Sequence, residues 1–114
     1  MIVNATLPYP PSVNHYWVMG KGRVYISPKG RAYCRQVAGI LNDAPLLSGP
    51  VSVTIMAYPP DKRKRDLDNL LKCLLDAVTK SKGLWEDDSQ IKKLTIEWGA
   101  MVNGGLIELT IGYS

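Results

Sequence analysis

The sequence is poor in the residues that usually build histidine or cysteine chemistry. It contains one histidine, His15, and two cysteines, Cys34 and Cys73. A single histidine excludes paired-histidine catalysis, and we expect His15, which lies among prolines and aromatics, to make a structural hydrogen bond. The two cysteines lack metal-ligand spacing and lie within predicted helices. We therefore expect reduced, partly buried thiols of an intracellular protein.

The sequence also lacks any long apolar run. None approaches the ~18 residues that a membrane-spanning helix needs. Residues 1–5 lack the charged-then-apolar pattern of a secretory signal. We therefore expect a cytoplasmic protein with no membrane partner. We also expect no nucleotide cofactor.

The positive charge is concentrated in one segment. The chain of 114 residues, which we expect to form a single domain over 1–114, has a net charge of +4. Four consecutive cations, Lys62, Arg63, Lys64 and Arg65, account for the excess, because the remaining basic and acidic residues balance. Such a local patch favours a polyanionic partner, namely nucleic acid. The alternative for the run by itself is a solvated surface loop.

Hydrophobic periodicity and turn residues predict six strands and two helices. The predicted strands are Ile2–Leu7, Tyr16–Met19, Arg23–Ile26, Val51–Tyr58, Ile91–Trp98 and Leu106–Ile111. One helix begins at Pro28 and ends before Pro45, and the other runs from Asp68 to about Lys82. We expect loops at Pro8–Asn14, where prolines forbid helix, and at Leu46–Gly49.

Local signals place the helix ends and faces. Ser27 is a predicted N-cap followed by proline, Asp68 is a second predicted N-cap, and Gly83 is expected to stop the second helix. The predicted buried faces are Tyr33, Val37, Ile40 and Leu41 on the first helix and Leu70, Leu71, Leu74, Leu75 and Val78 on the second.

Two glycine-containing turns predict hairpins. Gly20–Gly22 joins the second and third strands, and Asn103–Gly105 joins the last two. The element order predicts an α+β fold with two layers, in which two helices pack on one face of a mixed β-sheet.

A pair of carboxylates follows directly on the basic run. Asp66 and Asp68 would lie on one side of an extended backbone. Either Asp87 or Asp88 would add a third carboxylate if the chain returns from the far end of a helix ~22 Å long. The roughly six residues from Leu84 to Ser89, at ~3.3 Å each, reach that far.

Carboxylate oxygens beside a phosphate-collecting basic run suit Mg²⁺, or Mn²⁺ as a substitute. Such an ion polarises a phosphodiester and lowers the pKa of water. Lys72, one helical turn from Asp68, would stabilise developing negative charge or orient the attacking water. Taken alone, the spacing favours a simple i, i+4 ion pair. Asn69 would supply a neutral oxygen or brace a ligand, and we count it with the basic run among DNA-contacting residues.

These features favour a small metal-dependent nuclease over its competitors. A phosphatase would place the Asp-x-Asp pair after an apolar parallel strand, and here four cations precede it. A Ca²⁺ loop of the EF-hand kind would need a glycine and a twelfth-position glutamate. The alternatives that remain are a metal-dependent phosphatase and a non-catalytic DNA-binding module whose acids cap a helix.

Four blocks of the chain together resemble the RusA family of Holliday junction resolvases. They are the segments 7–14, 27–33, 65–72 with Asp76 following, and 85–91. The similarity covers nearly the whole chain in order and spacing. It implies a RusA-like fold and a homodimeric, Mg²⁺-dependent endonuclease, often phage- or prophage-encoded, that cuts four-way DNA junctions in recombination and repair.

The resemblance also assigns roles to individual residues. It implies that Asp66, Asp68 and Asp88 are the catalytic, metal-binding carboxylates, with Asp87 as their neighbour. It implies that Lys72 is the catalytic lysine. It places Arg65 in contact with DNA and carries over Asn14 as a further DNA contact. A dimer fits this activity, because two equivalent sites match a two-fold substrate.

Overall fold

The computed structural model describes the backbone of residues 1–114 and every side chain except those at positions 13 and 14. The strands are β1 (Ile2–Leu7), β2 (Trp17–Gly20), β3 (Arg23–Ile26), β4 (Leu46–Leu47), β5 (Val51–Tyr58), β6 (Leu84–Trp85), β7 (Ile91–Trp98) and β8 (Leu106–Tyr113). The helices are α1 (Val13–Tyr16), α2 (Pro28–Ile40) and α3 (Asp68–Ser81), and a 3₁₀ turn spans Asp88–Gln90. Among the residues that the structure describes, no helix is long and apolar enough to cross a membrane.

A four-stranded mixed sheet, in the order β1-β8-β5-β7, forms the centre of the fold. β8 is antiparallel to both β1 and β5, whereas β7 is parallel to β5. Alternate residues of β5 are buried, namely Val51, Val53, Ile55 and Ala57. They share the hydrophobic core with buried residues of α2 and α3, so both helices cover this face. The predicted α+β architecture is therefore confirmed.

The predicted hairpin between the last two strands is wrong. β5 lies between β7 and β8, and the connection from 99 to 105 crosses the end of β5. Backbone hydrogen bonds fix this crossing: the Gly99 N–H donates to the Ala57 carbonyl (2.8 Å) and the Val102 N–H to the Pro59 carbonyl (2.9 Å). The glycine turn was therefore a correct signal for a reversal, but it did not identify the neighbouring strand.

The first helix and the hairpin before it largely follow the prediction. The Ser27 hydroxyl accepts a hydrogen bond from the Gly30 N–H (3.0 Å), as an N-cap does. Lys21 and Gly22 both adopt positive φ, which is the geometry of a tight two-residue hairpin turn. Ile40, predicted to be buried, is half exposed, because the core stripe on α2 follows Tyr33, Val37 and Leu41 at a spacing of four.

Three local predictions are wrong in informative ways. The segment Pro8–Asn14, predicted to be loop throughout, ends in the helical turn α1, whose last residue, Tyr16, is fully buried and does not begin β2. Leu46–Leu47, predicted to be loop, pairs in parallel with Leu84–Trp85. Such short pairings carry no sequence periodicity by which they can be recognised.

The predicted ends of α3 also shift. Asp68 is the first helical residue, and the preceding Leu67 already has helical φ and ψ without a capping side chain. At the other end, Lys82 adopts the left-handed conformation that we expected of Gly83. Gly83 is needed for a different reason, since a Cβ there would lie 2.9 Å from Leu41. Leu70, Leu74 and Val78 are buried as predicted.

Candidate active site

The start of α3 presents two acidic side chains to solvent. A single turn joins them, with the Asn69 N–H donating to the Asp66 carbonyl (3.1 Å). Asp66 and Asp68 are both exposed. Because neither the Asp68 carboxylate nor any other described side chain caps the helix, the Asp68 oxygens remain available to an external ligand.

The chain beyond α3 returns to this point. The pairing of Leu84–Trp85 with Leu46–Leu47 turns it back, and Trp85 is fully buried, with its Nε1–H donating to Thr79 Oγ1 (2.8 Å). The Gln90 amide then donates to the carbonyls of Leu47 and Gly49, both at 3.0 Å. This clasp holds the 3₁₀ turn beside the start of α3.

Asp87 and Asp88, which spacing alone did not distinguish, differ in their surroundings. Asp87 Oδ1 accepts a hydrogen bond from the Ser89 N–H (3.1 Å), while Gln90 Oε1 accepts one from the Asp87 N–H (3.1 Å). This reciprocal capping, chiefly the bond from the Ser89 backbone, lowers the pKa of Asp87 below its usual value. Asp88 instead lines an open cleft together with Asp68 and Lys72.

The three side chains Asp68, Asp88 and Lys72 share this cleft of about 500 Å³, whose apolar wall is formed by Leu71 and Leu75. Asp66 lines a neighbouring cleft with Tyr9, Pro10, Ser12 and His15. Asn69 lines both clefts and so connects them. The structure thus places Asp68 and Asp88 in one cleft and Asp66 in the neighbouring cleft, with Asn69 lining both.

The donor set suits a hard divalent cation. Carboxylate and amide oxygens are the ligands that Mg²⁺ and Mn²⁺ prefer. Among the described side chains, no three from His, Cys, Asp and Glu are close enough to form a ready-made metal cage. An ion that keeps several waters and takes substrate oxygens needs no such cage, so the residues present fit Mg²⁺ bound together with phosphate.

Lys72 has an aromatic neighbour that the sequence did not predict. Its Nζ lies 5.6 Å from the centroid of the Trp17 ring, within the range of a cation–π interaction. The described ion pairs do not involve Lys72, and Asp76, one turn further along α3, accepts a hydrogen bond from the Tyr16 hydroxyl. The i, i+4 ion-pair explanation of Lys72 is therefore wrong within the described structure.

The basic run forms a loop that is held by salt bridges to the acidic residue immediately before it. Asp61 pairs with the guanidinium groups of Arg63 (3.1 Å) and Arg65 (2.8 Å), and its pKa is held well below the usual value, chiefly by Arg63. Arg65 is only 20% exposed, donates to the Arg63 carbonyl (3.1 Å) and packs over the Tyr9 ring. Lys62 and Lys64 are exposed. The four predicted DNA contacts therefore comprise two anchored arginines and two projecting lysines.

His15 lies at the edge of this region. His15 hydrogen-bonds the Ser12 hydroxyl through Nδ1 (3.2 Å), as expected of a structural histidine, and it lines the same cleft as Asp66. The side chain of Asn14 lies outside the described residues, so its predicted DNA contact stays a prediction.

Comparison with known proteins decides the family. The family model described as Endodeoxyribonuclease RusA matches residues 8–111. The chain belongs to the RusA family. The RusA resemblance carried by the four sequence blocks is thereby confirmed, and the α+β fold described above is consistent with it.

Three similar RusA proteins show how far the relationship extends. Proteins named crossover junction endodeoxyribonuclease RusA from Escherichia coli K12, from Shigella sonnei and from Enterobacteria phage 82 are each 44% identical to this chain over 109 residues. Each alignment covers 93% of this chain and 90% of the relative. Relatives of both bacterial and phage origin therefore match nearly the whole sequence.

Proposed function

We propose that this protein is a Mg²⁺-dependent, structure-selective endonuclease that resolves four-way DNA junctions by paired symmetric nicks. The observation that carries the proposal is the cleft in which Asp68, Asp88 and Lys72 meet beside Asp66. The names of the RusA relatives supply the substrate class. Action on recombination and repair intermediates would place it in the cytoplasm of a bacterial or phage-infected cell.

The proposed chemistry divides among the acidic and basic side chains. Asp66, Asp68 and Asp88 would hold Mg²⁺, or Mn²⁺ in its place, with Asn69 between the two clefts. When bound, the ion would supply charge neutralisation at the scissile phosphate. Lys72 would donate hydrogen bonds to the phosphate oxygens as negative charge develops there. Asp87 would serve as a neighbour that shapes the turn carrying Asp88.

The proposed DNA path follows the basic loop toward this cleft. Arg63, Lys64 and Arg65 line the same cleft as Asp66 and Asn69, so a strand lying across the loop reaches the carboxylates directly. Lys62 and Lys64 would neutralise phosphates as mobile point charges, and Arg63 and Arg65 as pre-positioned ones. Asn14 and Asn69 would contribute neutral hydrogen bonds to the backbone.

The proposed assembly is a homodimer. A four-way junction has two-fold symmetry, and a pair of matched nicks needs two identical sites related by the same symmetry. We expect light scattering of the purified protein to give twice the mass of one chain. A monomer that nevertheless makes paired nicks would remove the dimer from the proposal.

Cleavage of a labelled four-way junction, compared with a linear duplex of the same sequence, tests the function. We expect symmetric nicks in the junction that depend on Mg²⁺. Asp66→Asn, Asp68→Asn and Asp88→Asn should abolish cutting while junction binding survives or tightens, since negative charge near phosphate is removed. Asp43→Asn, which changes an exposed acid in the turn after α2, is the matched control.

Each alternative function gives a distinct result in this experiment. Wild-type rates of cutting by all three Asn variants would defeat the catalytic assignment. Junction binding by the wild type without cutting in either Mg²⁺ or Mn²⁺ would indicate a non-catalytic DNA-binding module. Turnover of a phosphomonoester without DNA cutting would indicate a metal-dependent phosphatase.

A further inference from the structure

A third cavity shares part of its wall, the basic loop, with the cleft that contains Asp66. It measures about 420 Å³, within the roughly 300–1,000 Å³ range of small-ligand pockets. Trp98, Met101 and Pro59 line it, and the rest of its wall is the loop Asp61–Arg65. Trp98 is half-buried, while Met101 is 51% exposed, so both offer apolar surface to a ligand.

The cavity is built from connected backbone. Trp98 ends β7, paired with Ala57 of β5, and the hydrogen bond from the Val102 N–H to the Pro59 carbonyl holds Met101 against the start of the basic loop. Asp61 fastens the loop from the other side through its two arginine pairs. The apolar side chains of Trp98 and Met101 and the cations of the basic loop thus line the same cavity.

We propose that this cavity binds an unstacked nucleobase of the DNA substrate, with Trp98 and Met101 contacting the base and the basic loop contacting its flanking phosphates. The proposal rests on the junction-cutting function proposed above. An aromatic face beside lysines and arginines is the combination that binds unpaired bases, because every base has a π-face and a charged backbone. Bases within an intact duplex cannot reach such a cavity, whereas those at a crossover can be unstacked.

The position of the cavity fits a nucleotide close to the cleavage site. Arg63, Lys64 and Arg65 line this cavity and also the cleft that contains Asp66 and Asn69. Asn69 in turn lines the cleft of Asp68, Lys72 and Asp88. Each space therefore shares lining residues with the next, and the basic loop lines both the Trp98 cavity and the cleft of Asp66.

Charge distinguishes the proposed occupant from a second copy of the chain. A two-fold contact centred on Trp98 and Met101 would bring the four cations of each copy together. Three net positive charges would then face three more, counting Asp61 on each side. A polyanion experiences the opposite interaction, since each of these charges attracts it.

Binding measured in EDTA separates this inference from catalysis. The probes are a four-way junction, a linear duplex and a single strand, each of which carries 2-aminopurine. In the junction, the 2-aminopurine is placed at the crossover. The variants are Trp98→Leu and Met101→Ala, with Trp98→Phe as the conservative replacement. Leu94→Ala, a partly exposed residue of the same strand outside the cavity, is the matched control.

We expect the wild type to quench 2-aminopurine in the junction and the single strand. Trp98→Leu and Met101→Ala should lose the quenching and bind both probes about fivefold or more weakly, with duplex affinity unchanged. Trp98→Phe should keep the affinity for both probes, because its ring still stacks on the base. Leu94→Ala should behave as the wild type does. Met101 lies on an exposed connection, so its variant keeps the test decisive if Trp98→Leu fails to fold.

Three results would overturn the inference: unchanged quenching in both variants, an equal loss of affinity for all three DNAs, or a change of oligomeric mass on altering Trp98 or Met101. The last would show that a second copy covers the cavity. Normal junction cutting without Trp98-dependent quenching would remove the base site and leave the proposed function intact. Trp98-dependent quenching of the single strand without any junction cutting would leave the base site intact and remove the proposed function.

Discussion

The ammonium group of Lys72 lies 5.6 Å from the centre of the Trp17 ring, although the two residues belong to different elements. Trp17 begins β2 and Lys72 lies in the second turn of α3. The Trp17 ring restricts the long side chain of Lys72 to the cleft that also contains Asp68 and Asp88. Trp17 is therefore a candidate positioning residue for the proposed catalytic lysine.

Replacing Trp17 by Leu should slow cutting more than it weakens binding. A cation–π interaction is worth roughly 0.5–2 kcal/mol, so we expect kcat to fall about 2- to 30-fold with KM nearly unchanged. Trp17→Phe should recover much of the loss. Removing the cation itself, by Lys72→Ala, should cost on the order of 100-fold or more. Single-turnover cleavage of the junction measures these effects, and a Leu variant that raises KM alone would contradict the positioning role.

Asp61 should restrain DNA binding as well as shape the loop. Asp61→Asn removes one negative charge and releases the guanidinium groups of Arg63 and Arg65. We expect tighter binding to duplex and junction alike, and a steeper dependence on salt by about one unit of slope. Titrations between low and moderate salt check this against Asp43→Asn. Weaker binding at every salt concentration would mean that the fastened arginines matter more than the added charge.

Substitution of Asp87 should mainly lower stability, whereas substitution of Asp88 should mainly lower activity. Asp87→Ala removes the cap of the 3₁₀ turn and should lower the melting temperature, with part of the cutting activity retained. Asp88→Asn should abolish cutting and leave the melting temperature nearly unchanged, because its side chain faces the open cleft. Thermal unfolding and junction cleavage measured on the same samples decide the matter. The reversed pattern would exchange the two assignments.

The hydrogen bond from the Tyr16 hydroxyl to Asp76 should stabilise the fold at neutral pH. Tyr16→Phe leaves the half-buried Asp76 carboxylate without this partner, at a cost of about 1–3 kcal/mol. Asp76→Asn, which can still accept the bond, should cost less. Chemical denaturation measures both changes, and equal stability of the Phe variant and the wild type would contradict the assignment.

The same pair predicts an alkaline limit to stability. Burial, and next the bond to Asp76, raise the pKa of Tyr16 far above its ordinary value of 10.0. A group whose pKa is raised on folding contributes stability that is fully present below the unfolded pKa and is lost above it. The stability of the wild type should therefore decline above about pH 10 more steeply than that of Tyr16→Phe. Parallel decline of the two proteins would contradict this.

Features written in a few adjacent residues were predictable from the sequence. Ser27-Pro28 predicts the start of α2 because the cap and the proline act locally, and the alternation of β5 predicts its buried face. The Asp-x-x-Gln spacing of Asp87 and Gln90 is also a capping signal, and it would have separated Asp87 from Asp88.

Features that depend on distant partners were not predictable in this way. Adjacent strands in a sequence usually pair, so β7 and β8 were expected to form a hairpin, whereas β5 separates them. The neighbour of Lys72 was equally hidden, since nothing in the spacing of Trp17 points to α3. At the candidate site, composition indicated the acidic and basic groups, and only the fold showed that Asp66 opens onto a different cleft from Asp68.

The clasp of Gln90 on the Leu47 and Gly49 carbonyls links DNA cutting to completion of the fold. Asp88 reaches its cleft only after a segment from the first half of the chain has docked against one from the second. A nascent or half-unfolded polypeptide would hold its basic loop without an assembled cutting centre. The candidate site therefore needs contacts between both halves of the chain, whereas the basic run is continuous in the sequence.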